Sequence, residues 1–370
     1  MQRKKILFYH PFFADGGVEK TNLLISEKLA KKYEIIFVSN SFSKKFNLDI
    51  KRIGIKKITL SSSRTLFSFF ELSKIFKKIK PEIIIPVQMH ANVLVLAINK
   101  FLFKNKLKII CCERLSKKRF QEYFIKGKII IFLAKILYKN AKKIICNSKD
   151  LATEFKKISK ANNVTYIYNP TLKLNYRSLA KKIKIKEKPF FPKIKPILFS
   201  LGRLDDVKNQ MMLLKAYNEI KNYVSCNIVL MGEGKKKDEL IKYAKKNKFS
   251  KNFFLFDFKK NPFPYLSKSD LFILTSNYEG LPNVLIEALS LNIPVISTNS
   301  PTGPREILLN GNAGFLIKKN DYKDLSKKIK LFFENPKIFN NKRKFYKKSL
   351  KKFSPKKSLD QYEKIVKSLM

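Results

Sequence analysis

The stretch Leu271–Glu287, which reads LFILTSNYEGLPNVLIE, decides the fold of the second half of the chain. Its apolar beginning predicts a buried strand over Leu271–Thr275, and the polar residues after it predict a short loop. Gly280 allows the backbone to turn tightly or to approach a ligand, and Pro282 suits the first turn of a helix because its missing N–H is not needed there. Glu279 is therefore expected at the carboxyl end of a parallel strand and beside a helix N-terminus, which is where open α/β sheets bind ligands.

Two carboxylates belong to this stretch, Glu279 and Glu287, and both can face the same crevice. An ionised carboxylate accepts strong hydrogen bonds, so the pair suits the hydroxyl groups of a sugar or a ribose. The alternative is that Glu279 caps the helix and Glu287 is a surface charge. That alternative would hold for an isolated pair with this spacing, but the strand–turn–helix context favours the binding role.

A second loop of this kind follows the predicted strand Ile197–Leu201 and reads GRLDDVKN over residues 202–209. Arg203 offers a planar fork of donors to a phosphate, and Lys208 adds a compact charge where the next helix begins. The dipole and the free N–H groups of a helix N-terminus also favour anions, so we expect a diphosphate between these groups. The alternative is that Arg203 and Lys208 are neutralised by nearby carboxylates, for which the candidates are Asp205, Asp206 and Glu233.

Paired glycines open the first helix. In residues 10–20, HPFFADGGVEK, Gly16 and Gly17 connect the predicted strand Lys5–Tyr9 to a helix from about Val18 to Lys31. The loop is not a G-x-G-x-x-G fingerprint and does not indicate a dinucleotide site, although its backbone can lie against a phosphate or a sugar. An ordinary turn explains the glycines equally well. Two features are weaker. MGEG over residues 231–234 is explained by a βα turn, and in PTGPRE over residues 301–306 a position of Gly303 and Arg305 near the bound ligand and a structural turn are equal alternatives.

The chain of 370 residues is long enough for two domains. Apolar strands alternate with helices in both halves, which predicts an α/β protein with parallel sheets buried on both faces. Residues 181–196, rich in Lys, Pro and Phe, are interpreted as a linker, and residues 321–370 are predicted to be wholly helical. The remaining strands are predicted at Ile35–Ser39, Ile83–Val87, Lys108–Cys112, Lys143–Cys146, Asn227–Met231, Asn252–Phe256, Pro294–Thr298 and Gly314–Ile317.

The charge balance is extreme, with 79 Lys and Arg against 28 Asp and Glu and a formal net charge of +51. Such a balance attracts polyanions, either nucleic acid or an acidic membrane face. The lysines are scattered over the whole length, which favours a compositional bias over the basic stripe of a nucleic-acid binder. The basic amphipathic stretch Lys100–Lys143 is the candidate for membrane contact, with a solvated helix face as the alternative. Its most apolar part, Ile129–Leu137, is too short to span a bilayer.

Cysteine and histidine usage limits the chemistry further. The four cysteines include no C-x-x-C pair, so we expect them to be reduced and buried, as in a cytosolic protein. The chain has only two histidines, His10 and His90, which argues against a His-based metal site. The apolar run after the basic residues 1–5 is too short for a signal peptide.

Together these motifs resemble the family 4 retaining glycosyltransferases of the GT-B fold, also called glycosyltransferase group 1. The resemblance rests on GGVEK, GRLDDVKNQ, MGEG and EGLPNVLIEALSLNIPVIST in this order, and it spans nearly the whole chain. The segment STNSPTGPREIL is similar to members that build bacterial surface polysaccharides or lipid-linked oligosaccharides. The resemblance implies two Rossmann-like domains that face a central cleft, over residues 1–180 and 197–352, with a helix over residues 353–370 that crosses back to the first domain.

The resemblance also implies a role for each matching position. Arg203 and Lys208 would hold the donor diphosphate. Glu279 would contact the donor sugar, and Glu287 would bind the ribose. The other donor-side positions are Gly16, Gly17, Gly280 and Leu281.

The acceptor side departs from the family pattern. Many members carry a histidine where this chain has Cys112, Glu113 and Arg114. Glu113 and Arg114 are therefore the acceptor-side candidates, together with His90, which lies one strand earlier. A merely structural His90 is the alternative.

The implied reaction moves a hexosyl or N-acetylhexosaminyl group from a nucleoside-diphosphate sugar, with a UDP-sugar expected, to a hydroxyl of a saccharide or lipid-linked acceptor, with retained configuration. No D-x-D pair occurs, so no metal cofactor is expected, and front-face attack with the diphosphate as base is predicted because no nucleophile is evident on the first domain. A cytoplasmic protein is expected, with an anionic membrane face as a further partner and no nucleic acid. The alternatives are a GT-B sugar-nucleotide epimerase, a basic nucleic-acid-binding protein and a catalytically inactive scaffold.

Overall fold

The computed structural model describes residues 3–13, 16–43, 53–121, 124–172 and 176–370. The chain divides into two compact units, the first made of residues 1–171 and 354–370 and the second of residues 172–353. Each unit combines parallel strands with helices, which confirms the predicted α/β class. The segment 181–196, interpreted from its composition as a linker, belongs to the second unit, where Phe190 is buried against Phe199 and Tyr265.

The first unit is built around parallel strands. They are β1 (Lys5–Tyr9), β2 (Phe12–Phe13), β3 (Glu34–Ser39), β4 (Ser41–Phe42), β5 (Lys56–Thr59), β6 (Ile83–Pro86), β7 (Ile110–Glu113), β8 (Lys143–Cys146) and β9 (Val164–Tyr166). They pair in the orders β5-β3-β1-β6 and β7-β8-β9, with β2 and β4 as a separate short pair, and parallel bridges from Ile84 to Ile109 and from Val87 to Cys112 join the two longer groups. The helices are α1 (Gly17–Ala30), α2 (Phe69–Ile79), α3 (Met89–Phe103), α4 (Lys118–Gln121), α5 (Phe124–Leu137) and α6 (Lys149–Ser159).

The second unit is a single sheet with helices around it. Its strands are β10 (Ile197–Leu201), β11 (Asn227–Met231), β12 (Phe253–Phe256), β13 (Leu271–Leu274), β14 (Val295–Thr298) and β15 (Phe315–Ile317). All pair in parallel in the order β12-β11-β10-β13-β14-β15, which is the doubly wound arrangement of a Rossmann fold. The helices are α7 (Tyr176–Lys181), α8 (Gln210–Ile220), α9 (Lys237–Lys246), α10 (Phe263–Ser267), α11 (Asn283–Ser290), α12 (Pro304–Ile307), α13 (Tyr322–Glu334), α14 (Pro336–Asn341) and α15 (Tyr346–Leu350).

Both faces of the first sheet are covered. Successive side chains of a strand point to opposite faces, so Leu7 packs in one cluster with Leu72 and Phe155, whereas Phe8 packs in another with Ile25. Burial on both faces explains why the strands read as continuous apolar runs.

The last helix, α16 (Pro355–Lys367), packs on the first unit. Its buried Tyr362 hydroxyl accepts a hydrogen bond of 3.2 Å from Nη2 of Arg114, and the same guanidinium donates to Asn22 at 3.3 Å and to Asn169 at 3.0 Å. Lys28 on α1 adds an exposed ion pair with Asp360 at 3.1 Å. Arg114 therefore joins three separated parts of the chain in one buried contact.

Strand prediction succeeds where the apolar runs are long. The observed bounds of β1, β8, β10 and β11 confirm the predicted ones. The edge strand β5 does not follow from the pattern, because it reads KKIT and its lysines are exposed. The predicted helical character of residues 321–370 is confirmed, and the segment is divided into successive helices, with Pro336 and Pro355 each starting a new one.

Replacing Tyr362 by phenylalanine tests the contact that holds α16. The ring packing is kept, but a buried N–H of Arg114 loses its acceptor, so we expect the first unit to lose about 1–3 kcal/mol of unfolding free energy. Chemical denaturation followed by circular dichroism measures this loss. Tyr346→Phe is the control, because that hydroxyl makes only a 3.4 Å bond to Ile293 in the second unit. Equal losses in the two variants would contradict the assigned importance of Arg114.

Candidate active site

The carboxyl edge of the second sheet brings together the two loops that the sequence singles out. β10 and β13 are neighbours, with Leu198 opposite Leu271. The loop after β10, with Arg203 and Lys208, therefore lies beside the loop after β13, with Glu279. The strand order reverses between β10 and β13, and such a switch point leaves a crevice in which α/β sheets bind ligands.

Lys208 and Glu279 form an ion pair at this edge. Nζ of Lys208 lies 2.5 Å from Oε1 of Glu279, and the two side chains are 20% and 8% exposed. Two hydrogen bonds join the loops behind the pair: the Thr275 hydroxyl donates to the Lys208 carbonyl at 2.9 Å, and the Asn277 N–H donates to the Val207 carbonyl at 2.8 Å. The charges are thus held in a partly dry environment, where electrostatic interactions are stronger than in water.

Arg203 points away from the core. Its side chain is 65% exposed, and Nη2 lies 3.4 Å from a carboxylate oxygen of Asp205. The loop below it is anchored by Gln210, whose amide donates to the Arg203 carbonyl at 2.8 Å. Arg203 is therefore neutralised by Asp205, one of the nearby carboxylates considered above, in an exposed contact that contributes at most about 1 kcal/mol. Lys208 pairs with Glu279 instead.

The MGEG segment supports the Arg203 loop from below. A Cβ atom on Gly232 would lie 2.0 Å from the Gly202 carbonyl oxygen, and one on Gly234 would lie 2.2 Å from that of Leu204. Leu204 also donates its N–H to the carbonyl of Glu233 at 2.9 Å. These glycines are required for close backbone packing, which is in keeping with the βα turn that the sequence predicts for this segment.

The other donor-side candidates lie where helices begin. Gly280 and Leu281 are buried and lead into α11, on which Glu287 is half-buried. Gly16 precedes α1 and Gly17 is its first residue. The donor contacts that the resemblance implies for these residues remain predictions.

Glu113 and Arg114 lie in the interior of the first unit, at 1% and 2% exposure. Asn92 donates to Oε1 of Glu113 at 2.6 Å, the Tyr138 hydroxyl donates to the same oxygen, and burial raises the pKa of the Glu113 carboxyl to about 8. Both side chains therefore have partners within the unit, which the polar residue types alone could not reveal. The acceptor contacts that are expected of these two residues remain predictions.

The two histidines are both neutral at ordinary pH. His90, on α3, is half-buried, and burial lowers its pKa to about 4. His10, at the end of β1, is buried, and its pKa is lowered to about 3 for the same reason. Nε2 of His10 lies 3.7 Å from the buried Glu19, for which Gly16 makes room, since a Cβ there would lie 2.5 Å from Oε2 of Glu19. Glu19 is not among the residues predicted for the site, although its place in GGVEK is a usable signal.

Two other kinds of site find no support in the described ranges. No group of three or more His, Cys, Asp or Glu side chains is placed to hold a metal ion there. Within the same ranges, no helix combines the length and the apolar character that crossing a membrane requires. The four cysteines are unpaired and buried, as predicted.

Comparison with known proteins covers both units. Residues 181–352 match the family model described as glycosyl transferases group 1, and residues 15–171 match that of glycosyltransferase family 4. An uncharacterized glycosyltransferase of Methanocaldococcus jannaschii is 32% identical over 65% of this chain and 61% of its own length. A Campylobacter jejuni enzyme is 26% identical over 95% of this chain and 94% of its own; its name is N-acetylgalactosamine-N,N'-diacetylbacillosaminyl-diphospho-undecaprenol 4-alpha-N-acetylgalactosaminyltransferase.

A solved structure supports the fold. Anabaena HepE in complex with UDP-glucose superposes with a TM-score of 0.79 at 18% identity, covering 98% of this chain and 99% of its own. At that identity the likeness concerns the fold.

The raised pKa of Glu113 predicts a pH dependence of stability. The folded state keeps this carboxyl protonated at pH values where the unfolded chain ionises it, so folding binds a proton and stability falls as pH rises from about 5 to about 8. Glu113→Gln imitates the protonated acid and should remove that slope. We expect the free energy of unfolding of the wild type to decrease, relative to the variant, by on the order of 3 kcal/mol over this range. Denaturant titrations at several pH values measure it, and parallel profiles would contradict a protonated Glu113.

Proposed function

This chain belongs to the group 1, family 4 glycosyltransferases, and from that premise we propose that it moves a hexosyl or N-acetylhexosaminyl group from a nucleoside-diphosphate sugar to a hydroxyl of a glycan or lipid-linked saccharide. The observation that carries the proposal is the partly buried Lys208–Glu279 pair at the switch point of the second sheet. The pair places the Lys208 ammonium, which suits a diphosphate, next to the Glu279 carboxylate, which suits the hydroxyls of a sugar.

The positive groups bind the diphosphate in this proposal. The exposed Arg203 guanidinium is free to swing toward a ligand, and Lys208 precedes α8, whose N-terminal N–H groups favour anions. When the glycosidic bond to the diphosphate breaks, negative charge grows on the leaving group. Fixed positive charges aimed at that position lower the barrier, and removing one such contact typically costs about 10²–10³ in rate.

The negative groups bind hydroxyls. Glu279 keeps a second carboxylate oxygen for the donor sugar beside Gly280 and Leu281, and Glu287 binds the ribose. We infer retention by front-face attack, with the diphosphate oxygen accepting the proton of the acceptor hydroxyl. A UDP-sugar donor is in keeping with the UDP-glucose in the HepE structure, and we expect no metal because the sequence has no D-x-D pair.

A lipid-linked acceptor is in keeping with the diphospho-undecaprenol in the name of the Campylobacter relative. Such an acceptor would lie at a membrane, and we infer that the enzyme docks on the cytoplasmic face of an anionic bilayer. Free, buried cysteines agree with a reducing compartment.

Helix α5 supplies the docking surface in this proposal. Ala134 and Leu137 face the core, yet the opposite face carries large apolar side chains that are between 37% and 74% exposed, namely Ile125, Ile129, Phe132 and Ile136. A helix that is apolar all round is normally covered on every side. The exposed lysines Lys126, Lys128 and Lys135 flank this face, and such a pattern suits insertion at an anionic lipid surface.

Activity measurements test the reaction. We expect the wild type to transfer sugar from at least one member of a panel of UDP- and GDP-sugars. Glu279→Gln and Lys208→Met should each lower kcat/KM about 10²-fold or more. Asp257→Asn is the matched control, because it breaks an exposed ion pair with Lys237 in the same unit and should leave turnover unchanged. Isomerised sugar nucleotide without an acceptor would favour an epimerase instead, and near-normal turnover by Glu279→Gln would contradict the assigned site.

Vesicle sedimentation tests the docking surface. The wild type should sediment with vesicles of equal parts phosphatidylcholine and phosphatidylglycerol at low salt. The double variant Ile129→Gln, Phe132→Gln should bind at least about tenfold more weakly, since each buried apolar side chain contributes about 1.5–3 kcal/mol. The control variant Tyr223→Gln, Ile241→Gln removes two exposed apolar residues of the second unit and should bind like the wild type. Equal sedimentation of both double variants would exclude α5 as the docking surface.

A further inference from the structure

The loop Ser300–Gly303, which follows β14, packs against the turn Glu279–Leu281 within the second unit. The hydroxyl of Thr302 donates a hydrogen bond of 2.6 Å to the Glu279 carbonyl, and Thr302 is buried. The next residue has a φ of +91°, and a Cβ there would lie 2.5 Å from a carbonyl oxygen of the turn. A positive φ and so close an approach both require glycine, so this loop is fitted to the turn rather than merely adjacent to it.

The bond from Thr302 fixes the direction of one peptide group. The peptide between Glu279 and Gly280 is trans, and in a planar trans peptide the carbonyl oxygen and the amide hydrogen point to opposite sides. Because the carbonyl points at Thr302, the N–H of Gly280 points away from the Ser300–Gly303 loop. Gly280 is buried, and within the described ranges no acceptor of a hydrogen bond from its N–H is found. Because the backbone N–H groups of buried residues are nearly always paired, an N–H that the protein leaves without an acceptor suits a contact with a bound ligand.

We propose that Thr302 is a positioning residue of the transferase: its hydroxyl holds the Glu279 carbonyl and thereby aims the Gly280 N–H at the donor sugar. The inference rests on the proposed function and adds a residue to it. A sugar hydroxyl accepts from an N–H and donates to a carboxylate at the same time. The Gly280 N–H and the Glu279 carboxylate are attached to neighbouring residues, so together they can bind one hydroxyl of the sugar.

Thr298 offers a matched control for the same kind of bond. Its hydroxyl donates to the Ser276 carbonyl, also at 2.6 Å, and it is equally buried. That bond holds an earlier part of the same loop, before the Glu279–Leu281 turn. A purely structural role for threonine hydroxyls at this edge would give Thr298→Val and Thr302→Val the same effects.

The experiment compares full-length wild type with Thr302→Val, Thr302→Ser and Thr298→Val. Thermal unfolding checks the fold, calorimetric titration gives Kd for UDP, UDP-glucose and UDP-N-acetylglucosamine, and initial rates give kcat and KM with the donor that the wild type transfers. We expect both valine variants to lose similar stability. Thr302→Val alone should bind the sugar nucleotide about tenfold more weakly while keeping its affinity for UDP, with a lower kcat, and Thr302→Ser should stay within about threefold of wild type.

Each contrary result has a distinct meaning. If Thr298→Val loses as much sugar-nucleotide affinity as Thr302→Val, or if Thr302→Val weakens UDP binding equally, the positioning role is wrong while the proposed function stands. If the wild type neither binds nor transfers a sugar from any UDP- or GDP-sugar, the proposed function and this inference both fail.

Discussion

The contact between the Lys208 ammonium and the Glu279 carboxylate is the interaction on which the site depends. Two charges at a partly buried sheet edge would each be costly alone, and removing one partner of such a pair leaves an uncompensated charge behind. Together they are held in place without using all of their hydrogen-bonding capacity. The ammonium keeps further donors and the carboxylate keeps a second oxygen, so the pair can bind a phosphate and a hydroxyl without rearrangement.

The loops around this pair are arranged by backbone contacts more than by side chains. Gly232 and Gly234 let one loop lie directly under Arg203, and Gly303 lets another reach the turn after Glu279. Each approach is closer than a Cβ would allow, so these contacts require glycine. Close packing of the loops suits transfer chemistry, because small misplacements of reacting groups are costly. The first unit uses buried polar contacts instead, with Glu113 protonated and Arg114 bonded to three separated parts of the chain.

The sequence predicts most of this molecule, and the exceptions have physical causes. Long apolar runs predict the parallel strands. The positions of Arg203, Lys208 and Glu279 in loops directly after β10 and β13 predict that they share one sheet edge, and the Lys208–Glu279 contact lies there. The apolar pattern does not predict the edge strand β5, because its lysines are exposed to solvent. Burial is harder to foresee from sequence. Glu113 and Arg114 are polar yet lie in the interior, where tertiary contacts such as those with Asn92, Tyr138 and Tyr362 satisfy their hydrogen bonds.

A crystal structure of the enzyme with its bound sugar nucleotide tests most directly whether Arg203, Lys208 and Glu279 bind the donor. We expect diphosphate oxygens within hydrogen-bonding distance of Arg203 and Lys208, and a sugar hydroxyl against the Glu279 carboxylate. Nucleotide density elsewhere on the protein, or in this crevice with those three side chains turned away from it, would contradict these roles.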